Sequence, residues 1–142
     1  MNGARPQYAQ SVAAYAPCVL GEEATAAKAL RCYVSEAIEG FCAEERPKGC
    51  LLVSAATNCS KGSTSVQDLL AGYRQASEAM TADRIRRGIE EGDMPEPTKP
   101  DLLAEYVSVL IQGLAAQARD GAAVEELHGV AELALGQVAV SL

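Results

Sequence analysis

Residues 100–140 read PDLLAEYVSVLIQGLAAQARDGAAVEELHGVAELALGQVAV, and this stretch decides the fold. Its first part, about Asp101 to Arg119, carries one apolar stripe on Leu103, Tyr106, Val107, Leu110 and Leu114. Leu102, Val109, Gly113 and Ala116 make a second. Positions three and four apart share a helix face, so two stripes describe a helix apolar around much of its circumference. The second part, about Ala123 to Val140, carries Val124, Leu127, Val130, Ala131, Ala134, Leu135 and Val138. Pro100 suits a first helical turn, where its missing N–H is not needed. Gly121 can take the left-handed conformation that closes a helix. The two parts therefore form a helical hairpin joined by a tight turn.

Both stripes of such a hairpin exceed what the preceding segments can cover. The surplus predicts a two-fold homodimer whose last two helices build an antiparallel four-helix bundle. Candidate interface residues are Leu102, Tyr106, Val109, Gly113, Ala116, Leu127, Val130, Ala131, Leu135 and Val138. Small residues (Gly113, Ala115, Ala116, Gly129, Gly136) would let the helices approach closely. The competing arrangement uses the hairpin as the core of a monomer.

Working back from the hairpin, Gly92-Asp93-Met94-Pro95-Glu96-Pro97 terminates a long helix from Val66 to about Glu91. Val66, Leu69, Leu70, Tyr73, Ala76 and Met80 form its first apolar stripe, which Ala82, Ile85 and Ile89 continue with a drift. Ser65, three residues before Asp68, resembles a capping box. Thr25 to Ala43 is an amphipathic helix with Leu30, Tyr33, Val34, Ala37, Ile38 and Phe41 on one stripe. Cys50 to Asn58 is short and apolar; with no partner strand elsewhere, it reads as a buried helix. Pro6 to Ala16 reads as a further short helix, or the tail of a longer one, stopped near Pro17. The expectation is an all-α bundle of about six helices, one domain over residues 1–142.

Composition agrees. A chain of 142 residues can bury most of its surface without disulfides or metals. Aromatics are 4% against 49% hydrophobic residues, so small and aliphatic side chains fill the core. The net charge is −7, and Arg84, Arg86 and Arg87 are followed directly by Glu90, Glu91 and Asp93, the pattern of a solvated helix face. Nucleic-acid binding needs an uncompensated basic stripe, so this chain alone should bind DNA poorly. Five cysteines at irregular spacing with no CxxC argue against a disulfide framework or a zinc site. No signal peptide or apolar span is legible, and a reducing cytoplasm is expected.

Three segments carry a family likeness. Arg46-Pro47-Lys48-Gly49-Cys50-Leu51-Leu52-Val53-Ser54-Ala55-Ala56 resembles the "RGCLLVNAA" segment of one branch of TetR-family regulators. Arg87-Gly88-Ile89-Glu90-Glu91-Gly92-Asp93-Met94-Pro95 is similar to that family's "RGQAEGELP" helix end. Gln112-Gly113-Leu114-Ala115 through Arg119-Asp120-Gly121-Ala122 is similar to its "QGLAVLARAGA" helix and turn. Their order and separation agree as well, although Ser54 stands where the family commonly has Asn. The resemblance implies the effector-sensing and dimerisation domain of a regulator, a repressor in most such cases, with no counterpart here of the helix-turn-helix that reads DNA. DNA contact would then run only through that missing N-terminal domain. A small apolar or amphipathic molecule would enter a cavity among the helices before the hairpin and favour one of two conformations.

Candidate ligand-binding residues on those helices are Tyr15, Cys32, Tyr33, Phe41, Tyr73, Ser77 and Met80, since pockets combine apolar walls with a few placed polar groups. An inward Glu36 or Asn58 would be more telling. Cys50 and Cys59, nine residues apart, would sit on opposite faces of a helix and read as buried thiols rather than a redox pair. His128 stands beside the apolar stripe of the last helix and belongs to the dimer rim or the surface. No nucleophile elbow, P-loop, HExxH or dinucleotide fingerprint occurs, so neither an enzyme nor a cofactor is expected. A stand-alone protein that heterodimerises with a full-length regulator is the alternative reading.

Overall fold

The computed structural model describes residues 20–21, 24–44, 64–95 and 97–140. Among them lie four helices and no strand: α1 (Ala26–Cys42), α2 (Thr64–Glu90), α3 (Pro100–Arg119) and α4 (Val124–Val140). The all-α expectation holds. The helices expected over Pro6–Ala16 and Cys50–Asn58 lie outside the described residues, as do Cys18, Cys50 and Cys59.

α1 is the centre of the bundle. Thr25 caps it, its hydroxyl accepting from Lys28 N at 3.2 Å. Ala26, Ala29, Leu30, Tyr33, Val34, Ala37, Ile38 and Phe41 are all buried. That set recurs every three or four residues in a strip two residues wide, which lets one helix serve several neighbours. α1 touches all three other helices, while α2 docks chiefly on α3. All six residues of the stripe expected from the sequence are in the core.

Two helix ends close by the same device. Gly92, with φ +79°, lets Asp93 N donate to Gly88 O at 2.8 Å and Gly92 N to Ile89 O at 3.1 Å. Gly121, with φ +98°, repeats the pattern, with Ala122 N donating to Gln117 O and Gly121 N to Ala118 O. These paired bonds satisfy carbonyls that a helix end leaves without partners. Gly121 is the cap expected from the sequence. Pro100 is the first residue of α3, also as expected. The start of α2 differs. The helix begins at Thr64, so Ser65 lies inside its first turn and is not the cap of a capping box.

The end of α2 is also where α1 begins. Asp93 Oδ1 accepts from Ala26 N at 3.1 Å, placing a carboxylate on the N-terminus of α1. There it meets both an unsatisfied amide and the positive end of the helix dipole. Asp93→Ala should lower stability by about 1 kcal/mol, the usual value of a lost cap. Asp93→Asn keeps an acceptor oxygen and should recover most of it. Thermal melting of the two variants checks this ordering.

Candidate functional site

Two ridges, one on α2 and one on the α3–α4 hairpin, are the candidate functional surfaces. The first is the inward seam of α2: Leu70, Arg74, Ser77, Thr81, Arg84 and Gly88, spaced alternately by four and three. Such spacing keeps residues on one helix face. Its ends are Leu70, 8% exposed, and the buried Gly88, but its four middle members are polar. Thr81 is 2% exposed and Arg84 4% exposed; Arg74 and Ser77 are partly buried. The Thr81 hydroxyl donates to Ser77 O at 2.9 Å within the helix.

This seam corrects two expectations. Arg84 is in the interior and does not belong to the solvated face with Arg86 and Arg87, which are exposed. The stripe expected on the first half of α2 is also out of phase. Leu69 and Tyr73 are 58% and 49% exposed and Ala76 is exposed, whereas Ala82 and Ile85 are buried and Ile89 and Met80 pack against the core. The cause lies at the far end of the helix. A Cβ built on Gly88 would stand 2.6 Å from both Ala26 Cβ and Asp93 Oδ1. Only a residue without a side chain allows α1 to approach so closely. That contact sets the rotation of α2, and a straight helix carries the same rotation to its other end.

The second ridge is the outward face of the α3–α4 hairpin. Leu102, Tyr106 and Val109 are 60%, 42% and 63% exposed, Gly113 is exposed, and Ala116 is partly buried. From α4 the same face takes Val130 at 49% and Leu133 at 77%. The Tyr106 hydroxyl donates to Ala134 O at 3.0 Å, fixing the ring across the two helices. Near the turn, Val109, Leu110, Gly113, Leu114, Leu127 and Val130 line much of an apolar groove of about 440 Å³. Of the α4 residues expected at the interface, Leu127, Ala131 and Leu135 are instead in the chain's own core, 2–6% exposed, and Val138 packs against it. α1 claims that side of α4 and leaves Leu133 outward, a residue the sequence reading missed.

Two polar contacts clamp α1 to α4. Arg31 Nη1 lies 3.0 Å from Glu132 Oε2, and His128 Nε2 lies 2.8 Å from Glu39 Oε1. His128 is therefore at the surface, its ring turned to Glu39 of α1. A third link joins α2 to α3, where Arg86 bridges Asp83 and Asp101. The hydrogen bond to Asp101 is the main reason its guanidinium pKa is raised.

The proposed ligand-contact residues are distributed unevenly. Tyr33 and Phe41 are each 3% exposed in the core, Cys32, Ser77 and Met80 are partly buried, and Tyr73 points outward. Tyr15 and Asn58 lie outside the described residues, and Glu36 is exposed. Arg74, Thr81 and Arg84 share the seam with Ser77 and were not expected there. Their heptad-like spacing is present in the sequence but is masked by their polarity.

Comparison with known proteins supplies the context. Residues 26–131, three quarters of the chain, match the family model described as "Tetracyclin repressor-like, C-terminal domain". The HTH-type transcriptional repressor ComR of Escherichia coli (strain K12) is 26% identical over 110 residues, covering 78% of this chain. The chain spans about half of that repressor's length, 52%. Among solved structures, a cysteine-substituted form of the TetR family transcriptional regulator CifR, complexed with 26-base-pair operator DNA, superposes with a TM-score of 0.84 at 32% identity. That match covers 91% of this chain and 67% of CifR. A second cysteine-substituted CifR–operator structure gives 0.81 at 34% identity, over 86% of this chain and 64% of CifR. A TetR regulator from Rhodococcus sp. RHA1 gives 0.76 at 26% identity, over 91% and 70% of the two chains. The family segment at the end of α2 now has a physical reading: Gly88 for the close approach of α1, Gly92 for the turn, Asp93 for the cap. With its helical fold, its three sequence segments and a family match over most of its length, this chain belongs to the TetR family of transcriptional regulators, in the part that forms their C-terminal domain.

Proposed function

We propose that the chain is the effector-sensing and dimerisation domain of a TetR-like repressor. Two copies pair through the outward faces of α3 and α4, and a small molecule binds among the helices before that hairpin. DNA is reached through the helix-turn-helix domain of such regulators, in a cytoplasmic protein. The observation that carries the reading is the exposed row Leu102, Tyr106, Val109, Val130 and Leu133. Five large apolar side chains contiguous on one hairpin form a patch that water disfavours, and patches of this kind mark protein interfaces. The operator-bound state of the CifR structures supports the DNA-reading role of the whole protein.

Sensing then has a mechanical route. α1 contributes Tyr33 and Phe41 to the interior and is clamped to α4 through Glu39–His128 and Arg31–Glu132. A ligand that repacks the inner face of α1 would thereby bias the position of the dimerising hairpin. Such a shift requires the ligand to bind one arrangement better than the other. The domains that the two hairpins hold apart would then change their spacing.

Native mass spectrometry of the purified chain tests both parts. The expected species has twice the 14.8 kDa chain mass, with added mass that is lost on denaturation. A monomer at micromolar concentration would refute the dimer.

A further inference from the structure

We infer that the molecule sensed by this domain is an anion, a small carboxylate or other oxyanion, held on the inward seam of α2 with Arg74 as its principal contact. The inference rests on the sensing role proposed above and names the chemistry of the ligand. Its basis is one nitrogen of the Arg74 guanidinium, shielded from solvent and without a hydrogen-bond partner.

The chain contains 19 acids and 12 basic Lys and Arg residues, so carboxylates are plentiful. Arg31, Arg86, Arg87 and Arg119 each lie within 4.0 Å of one. Arg74 does not follow them. Its Nη1 is shielded from solvent and has no hydrogen-bond partner. A buried donor left in that state is costly, and more so when it carries charge. Arg84 lies on the same seam, only 4% exposed, and is engaged by an interaction of its own. The ten-residue step from Arg74 to Arg84 spans about 15 Å of helix and turns them by about 80°, so both project to one side. Between them stand Ser77 and Thr81, and the Thr81 oxygen keeps a free lone pair for a ligand hydroxyl or acid proton after donating to Ser77 O.

A hydrophobic effector alone gives no reason for this composition. An apolar seam of Leu or Val at the four middle positions would pack α2 more favourably. An orphaned guanidinium nitrogen on Arg74, with two hydroxyls on the same seam, suits a ligand that brings negative charge. Guanidinium groups bind carboxylate and phosphate through paired, charge-assisted hydrogen bonds.

Isothermal titration of the full chain with sodium octanoate and with 1-octanol separates charge from apolar bulk. Octanoate should bind at least tenfold more tightly than octanol. Arg74→Gln should weaken octanoate at least tenfold, leave octanol unchanged, and preserve helix content and dimer mass. Inorganic phosphate competing with octanoate would support a general oxyanion site. Octanol binding as tightly as octanoate, or octanoate indifferent to Arg74→Gln, would overturn the anionic assignment and leave sensing intact. A dimer that binds neither molecule and carries no extra mass in native spectra would overturn the sensing reading itself.

Discussion

Gly88→Ala is expected to lower stability by about 2–3 kcal/mol, the range for forcing extra atoms into a packed core. For a chain of this size, that moves the melting midpoint down by roughly 5–10 °C. Two effects of opposite sign compete. Alanine in a helix interior is favoured over glycine by about 0.5–1 kcal/mol. Against this, the new Cβ would sit 2.6 Å from Ala26 Cβ, an atom bonded directly to the α1 backbone. It cannot move unless α1 moves. The Asp93 carboxylate, also at 2.6 Å, could swing away, but only by giving up its bond to Ala26 N. Separating the helices exposes apolar area of α1 as well, so the clash outweighs propensity. Differential scanning calorimetry of Gly88→Ala beside Asp93→Ala distinguishes the causes. The glycine variant should fall further, and an unchanged or raised midpoint would contradict the close approach of α1 to α2.

The other large effect concerns assembly. Val109→Glu combined with Leu133→Glu should convert the proposed dimer to a monomer, with at least a 10³-fold loss of affinity, about 4 kcal/mol. Both side chains are mostly exposed in the single chain, at 63% and 77%, so the fold should tolerate the charges. In the dimer each carboxylate would be buried against the partner's apolar row without a counter-ion, which is strongly unfavourable. The two-fold relation would bring every substitution in twice. Sedimentation equilibrium measures the mass, and circular dichroism should show unchanged helix content. Leu127→Ala makes the contrasting control. That side chain is 2% exposed inside the chain's own core, so its loss should cost about 2–5 kcal/mol of stability and act on folding rather than on the contact between copies. A dimer that survives both glutamates would place the interface on another face.

Much of the architecture is legible in the amino-acid sequence. Three helices of the described set fall within a few residues of where periodicity and punctuation put them: Thr25 and Pro100 mark starts, Gly92 and Gly121 mark ends. The outward stripe of α3 is legible too, because a helix with two apolar faces can bury only one of them in its own bundle. Helix 3.6-residue periodicity, capping hydroxyls and left-handed glycines are local properties, decided by residues a few positions apart. The family segments add the functional class, which periodicity alone could not supply.

What the sequence by itself determined, then, is where the helices run, how they end, and that the final hairpin carries more apolar surface than one chain uses. Only the tertiary structure decided which face of each helix turns inward. For α2 the choice was made at Gly88, where contact with Ala26 sets the rotation of the rod, and so Leu69 and Tyr73 point out while Arg74 and Arg84 take the inner seam. For α4 it was made by α1, which covers Leu127, Ala131 and Leu135 and leaves Leu133 to solvent. The physical reason is the same in both cases. Hydropathy fixes the angles between residues around one helix axis, but the absolute rotation about that axis is a long-range quantity, settled by the tightest contact that two helices make.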